Sequence, residues 1–250
     1  GEFYRQEWDE VIQPQGIDTL AEYLRAPRLG RGTKIGRATR EAAWPVFREY
    51  RSQLTERGKR EYIDMVRDAR QVIEKQGIRL PYKAVVVDEA QDMHAEAYRL
   101  IRALVPPGPN DLFIVGDAHQ RIYRHRATLG KCGIDIRGRA RKLRLNYRTT
   151  DEIRRFAVAL LEGRPIDDLD GNLDDQQGYM SLTHGPKVEV HGLKTASAEA
   201  AFIGKHVKDL IVSGATPESI CIVGRTKNVV EHVKAALRAA DLDLYEIKRE

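Results

Sequence analysis

The stretch Ala84-Val85-Val86-Val87-Asp88-Glu89-Ala90-Gln91-Asp92 decides how the rest of the chain is read. Consecutive valines have stiff, β-branched side chains that pack well on a pleated surface, so Ala84 to Asp88 is expected to be a short strand. It ends abruptly in two adjacent acids. In open α/β sheets ligands gather at the carboxyl ends of strands, and Asp88 and Glu89 stand there. Neighbouring side chains diverge at such an end, so the first carboxylate suits a Mg²⁺ held through water and the second an attacking water. A plainer reading competes, in which the acids only cap the helix expected to start near His94.

Downstream, the texture is α/β alternation. Further strands are expected at Leu112 to Asp117, Lys142 to Asn146, Val188 to Leu193 and Ser219 to Arg225. Helices are expected at Ala95 to Leu104, at Thr150 to Glu162 behind a Thr149/Glu152 capping box, at Ser197 to Ser213 ending on Gly214, and at Asn228 to Ala240. Parallel, doubly wound sheets follow from that order. The second strand runs into Gly116-Asp117-Ala118-His119-Gln120, where a Gln after a strand-end Gly-Asp suits sensing of a γ-phosphate by hydrogen bonding. The third runs into Asn146-Tyr147-Arg148-Thr149, which puts a guanidinium at a strand-to-helix turn, suited to transition-state charge compensation.

Upstream, residues 4 to 80 read as helical. Thr19 and Glu22 form a capping box before Leu20, Tyr23 and Leu24. A helix is expected from Ala42 to Leu54 with Pro45 near its start, and another from Arg60 to Gln76 closed by Gly77, with Tyr62, Val66, Ala69 and Ile73 as its core face. Between Glu22 and Glu41 there is no acid, while Arg25, Arg28, Arg31, Lys34, Arg37 and Arg40 recur every third residue. This basic loop is either a phosphate-contacting surface or a solvated connector. The Gly- and Asp-rich stretch Gly163 to Lys187 reads as an exposed excursion or linker.

Composition narrows the class further. The 250 residues carry 42 Lys and Arg against 37 Asp and Glu, a net charge of +5 that agrees with a polyanionic partner without requiring one. The two cysteines, Cys132 and Cys221, have no partner at metal-ligand or disulfide spacing and read as packing residues. No apolar run approaches the roughly 18 residues that span a bilayer, and no signal-peptide pattern opens the chain, so a cytoplasmic protein without membrane contact is expected.

Taken in order, Val87-Asp88-Glu89-Ala90-Gln91-Asp92, Val115-Gly116-Asp117-Ala118-His119-Gln120-Arg121-Ile122-Tyr123 and Leu145-Asn146-Tyr147-Arg148-Thr149 resemble motifs II, III and IV of UvrD/Rep-type superfamily 1 DNA helicases. Tyr62-Ile63-Asp64-Met65-Val66 is similar to the family's segment upstream of motif II, and the alternation after Lys187 is similar to the start of its second RecA-like domain. The resemblance implies a fold made of an incomplete pair of RecA-like parallel-sheet domains with an N-terminal helical subdomain. The expected boundaries are 1–56 for that subdomain, 57–146 for the later part of the first RecA-like domain and 147–250 for the beginning of the second.

The resemblance also implies roles. Asp88 would serve Mg²⁺ and Glu89 would be the catalytic base of ATP hydrolysis, with Gln120 as γ-phosphate sensor and Arg148 as arginine finger. Tyr147 would stack near the adenine, with Asp117 on the nucleotide side. Single-stranded DNA would be the partner, meeting Tyr123, His125 and Arg126, and the basic loop residues Arg28, Arg31 and Lys34. Movement would be 3′ to 5′.

Two departures qualify this. Where the family continues motif III from its Tyr through Gly-Trp-Arg, this chain has Arg124-His125-Arg126, so His125 is either a smaller stacking platform or a surface histidine. No stretch matches Gly-x-x-x-x-Gly-Lys-Ser/Thr, and nothing resembles motifs V and VI. Without the backbone N–H nest and Lys of that loop the phosphates lose their main cradle, so the chain alone is expected to be an inactive internal piece of a helicase. The alternative is a helicase-like module that binds nucleic acid or protein and has no P-loop.

Overall fold

The computed structural model describes residues 1–28, 34–121, 127–169, 171–174 and 178–247. The chain separates into two compact units, Gly1–Gly185 and Pro186–Glu250.

The first unit opens with helices α1 (Glu2–Glu7) and α2 (Gln13–Gln15), joined by a π-helical turn at Trp8–Ile12, then α3 (Leu20–Arg25), α4 (Arg37–Glu56) and α5 (Tyr62–Gln76). Trp8, Val11, Ile12, Ile17, Tyr23, Ala43 and Phe47 bury one apolar core, each large side chain contributing about 1.5–3 kcal/mol. Several polar groups at its edge are paired. Glu61 accepts from Trp8 Nε1 at 2.9 Å and from the Tyr50 hydroxyl at 2.8 Å, and also takes the Gln13 amide. The capping box of α3 forms as expected, with Glu22 N–H on Thr19 Oγ1 and Thr19 N–H on Glu22. Helix α4 starts earlier than its sequence indicates, so Pro45 lies in its interior rather than near its start. In α5 the buried positions are Asp64 and Val66, whereas Tyr62 and Ala69, expected in the core, are exposed. The Arg51 and Arg67 guanidiniums make the polar Asp64 tolerable there.

A β-α-β unit follows: β1 (Val85–Val87), α6 (Ala95–Leu104) and β2 (Leu112–Ile114). The strands are parallel, in the register Val85 to Leu112, Val86 to Phe113 and Val87 to Ile114. Val87, Ala90, Tyr98, Leu129, Cys132 and Ile134 form the second core beneath them. A second parallel pair joins β3 (Leu145–Asn146) to β4 (Met180–Ser181) around helix α7 (Asp151–Ala159). The stretch expected to be an exposed excursion or linker is anchored at several described residues. Asp167 pairs with Arg121 at 2.6 Å, Asp174 with Lys142 at 2.6 Å, and Leu169 packs on the second core.

The second unit packs α8 (Ala196–Val212) on α9 (Lys227–Ala239) through Val207, Val233 and Leu237. Residues 188–193 and 219–225, expected as strands, form no ladder among the described residues. Their alternation is real, but a strand exists only with a neighbour to take its N–H and C=O groups, and Val190 and Val223 stand 75% and 88% exposed. Cys132 is buried as expected, whereas Cys221 is exposed. The architecture is therefore mixed helix and strand, with small parallel sheets. No helix of the described residues is long and apolar enough to cross a membrane.

Candidate functional site

The carboxyl ends of β1 and β2 lie side by side because the strands are parallel and in register. The ladder continues past them, with Val115 N–H on Val87 O at 2.8 Å and Ala90 N–H on Val115 O at 3.0 Å. Asp88 and Glu89 emerge exposed at this edge. Glu89 donates its backbone N–H to Asp88 Oδ1 at 2.9 Å and takes a left-handed backbone, φ 51° and ψ 38°. That conformation turns the chain sharply away from the strand and into a 3₁₀ turn at Ala90–Asp92.

Ala90 and Gln91 are buried beneath the acids. The Tyr98 hydroxyl donates to Ala90 O, and burial pushes that phenol up to about 12. The Gln91 amide spans the two strand ends: its Nε2 donates to Glu89 Oε2 at 2.7 Å and its Oε1 accepts the Asp117 N–H at 2.9 Å. Gly116 is required by that approach, since a Cβ there would stand 3.0 Å from Gln91 Oε1 and 3.1 Å from Gln91 N.

Asp117 then organises its own segment. Its carboxylate accepts the His119 N–H at 2.9 Å, sits 3.0 Å from His119 Nδ1 and accepts Gln120 Nε2 at 2.9 Å. Arg121 reaches back to Gln91 O at 3.3 Å. The structure thus brings Glu89, Asp117 and Gln120 into one hydrogen-bonded frame, with Asp88 bonded at its edge. Sequence reasoning had no signal for Gln91 as the bridge, or for His119 and Arg121 as members.

Tyr147 and Arg148 lie on another turn and are exposed. Asn146 shapes it, its Oδ1 accepting the N–H groups of Arg148 at 2.9 Å and Thr149 at 3.2 Å. The Thr149/Glu152 capping box does not form: Thr150 is the N-cap of α7, and Glu152 instead accepts the Gly185 N–H at 2.9 Å. Among the described residues, no hydrogen bond or ion pair joins Tyr147 or Arg148 to the frame around Glu89.

The basic loop divides. Arg28 is turned inward, forked onto Glu7 at 2.7 to 3.1 Å with its side chain 7% exposed, and Glu7 also accepts the Tyr23 hydroxyl. A guanidinium committed to a buried carboxylate is not a phosphate contact, so Arg28 holds the helical core rather than facing DNA. Lys34 is exposed. Arg31, Tyr123, His125 and Arg126 lie outside the described residues.

Comparison with known proteins agrees with the strand-end order. Residues 14–131 match the UvrD/REP helicase N-terminal domain. The chain is also 29% identical over 168 residues to the ATP-dependent DNA helicase UvrD2 of Mycobacterium bovis and of two strains of Mycobacterium tuberculosis, covering 64% of this chain. It spans 23% of the length of those curated relatives. The matched span contains β1, β2 and the hydrogen-bonded frame between them, and over that span the chain is similar to the UvrD/REP helicase N-terminal domain.

Proposed function

We propose that this chain is part of an ATP-dependent helicase or translocase that moves 3′ to 5′ on single-stranded DNA, and that the frame at the ends of β1 and β2 is its hydrolytic side. The observation that carries the reading is the linkage of Glu89 to Gln120 through Gln91 and Asp117, which ties a carboxylate base to a polar amide across two strand ends. ATP with Mg²⁺ would supply the phosphoryl bond that is broken.

The donor set fits a Mg²⁺ of the phosphate-bound kind. Asp88 gives Oδ1 to the Glu89 N–H and presents its carboxylate at the exposed edge. No group of three or more His, Cys, Asp or Glu stands ready as a cage among the described residues. Mg²⁺ usually keeps several waters and takes one or two carboxylates plus phosphate oxygens, so one Asp suffices. Glu89 would take the proton of the attacking water, Gln120 would bond the γ-phosphate, and Arg148 would offset the charge developing on it. Tyr147, 74% exposed, has the open face that stacking on adenine needs. The sequence contains no Gly-x-x-x-x-Gly-Lys-Ser/Thr cradle, so this chain by itself is expected to turn over no ATP.

The test is ATP hydrolysis with and without single-stranded DNA, for this chain and for the complete protein that contains it. DNA-stimulated hydrolysis by the complete protein, reduced to a small residual rate by Glu89→Gln, with the 250-residue chain inert, is the expected result. Hydrolysis by this chain alone would refute the argument from the missing cradle. Silence of the complete protein would favour a binding module instead.

A further inference from the structure

Motif residues on β1 and β2 could be held only by the ladder between the strands, yet one buried side chain also ties them. Gln91 is 3% exposed, and both ends of its amide are used. Its orientation is chemically forced. The Glu89 carboxylate only accepts and the Asp117 N–H only donates, so Nε2 must face the first and Oε1 the second. No flipped amide satisfies both.

From this geometry we propose that Gln91 is a positioning residue for the hydrolytic step, one that aims the Glu89 carboxylate and fixes its distance from the Asp117 to Gln120 segment. The inference rests on the reading of Glu89 as catalytic base. Glu89 is exposed, and its side chain otherwise rotates about three bonds with nothing but solvent to choose among rotamers. The 2.7 Å bond from Gln91 selects one of them. Because the amide donor sits on a side chain locked from below, the selection is made before substrate arrives. Gln91 N lies close under Gly116, and its carbonyl accepts from Arg121, which is itself forked onto Asp167. Preorganisation of this kind matters because a misplacement of about 1 Å at a reacting group costs on the order of 100-fold in rate.

Gln91 touches neither nucleotide nor water in this scheme, so its effect must pass through Glu89. That gives a decisive readout. In the complete protein, Gln91→Glu keeps an acceptor for the Asp117 N–H but sets a carboxylate against Glu89. It is expected to lower kcat about 10- to 100-fold while the KM for ATP stays within about twofold. Added to Glu89→Gln, the same substitution is expected to change the residual rate no further, because the group it positions is gone. A further loss in that background, or an unchanged kcat in the single variant, overturns the proposal.

A second measurement uses this chain alone and needs no activity. Gln91→Leu removes the acceptor of the Asp117 N–H, and amide hydrogen exchange at Asp117 is expected to speed up about tenfold, while Gln91→Glu retains protection. Equal exchange in all three proteins means that the bridge is absent and ends the proposal. If the complete protein hydrolyses no ATP before any substitution, the reading of Glu89 as base falls and the positioning role falls with it. The Asp117 exchange then still reports separately whether the bridge exists.

Discussion

Replacing Gly116 with Ala tests how tightly the two strand ends are joined. The added Cβ would lie 3.0 Å from Gln91 Oε1, 3.1 Å from Gln91 N and 3.2 Å from Ala90 Cβ, where ordinary contact begins at 3.4 Å. Two of these neighbours are backbone or a Cβ, so they yield only if the turn after β1 shifts. Gly116 itself is exposed, but its Cβ would crowd the buried Ala90 and Gln91, and overpacking of that kind costs about 1–3 kcal/mol. Gly116 is not in the left-handed region, so alanine also restricts the unfolded chain and returns about 0.4–1 kcal/mol. The net loss is then about 1–2 kcal/mol, or a melting temperature lower by roughly 2–8 °C in a chain of this size. Urea titration of this chain followed by circular dichroism reads it. Gly108→Ala is the matched control, since its Cβ would meet only Asp111 Cβ at 4.0 Å, and it is expected to stay within about 0.5 kcal/mol of the parent. Equal midpoints for the two variants would refute the close approach on which the frame depends.

Arg28→Ala leaves Glu7 buried and without its guanidinium, so urea unfolding is expected to show a loss of about 3–5 kcal/mol. Lys34→Ala is expected to leave stability alone and to lower the salt dependence of oligonucleotide binding by about one phosphate contact, read by fluorescence anisotropy at several salt concentrations. For Asp111, burial raises the pKa, but the bonds from Arg102 and the Gly108 N–H outweigh it and hold the carboxyl below its ordinary 3.8. A depressed carboxylate stabilises the fold above its unfolded pKa and loses that contribution as pH falls through the lower folded value. Thermal melts below about pH 4 should therefore be less pH-sensitive in Asp111→Asn than in the parent. Thr19→Ala removes the α3 cap and should cost about 1 kcal/mol by the same melts at neutral pH.

Local rules were legible in the sequence wherever local chemistry decided the outcome. The helix expected at Ala95 to Leu104 has those bounds, Gly77 closes α5 at φ 59°, and Gly214 follows α8 at φ 105°. Distant partners overrode the rest. Glu152 is drawn to Gly185 rather than into a capping box, and the exposed alternation at Val188 to Leu193 has no strand beside it among the described residues. At the site, the placement of Asp88, Glu89 and Gln120 after neighbouring strands was legible because the apolar runs before them read as strands. Gln91 was not, because its second partner lies 26 residues away, and burial rather than residue type gives it its role. Arg28 looked like its neighbours in charge and spacing. Its fork onto Glu7, 21 residues upstream, is what marks it as part of the helical core.

Glu89 occupies a backbone conformation that an L-residue with a long side chain adopts at a cost of about 1–2 kcal/mol. Glycine has no steric cost there, but it gives up more backbone freedom on folding, by about 0.5–1 kcal/mol. Glu89→Gly should therefore change the urea midpoint of this chain little, because relief of the backbone is offset by loss of the acceptor of the buried Gln91 Nε2. A screen that rewards folding alone would have little reason to prefer the acid to glycine at this position, where the backbone favours glycine and the Gln91 amide the acid.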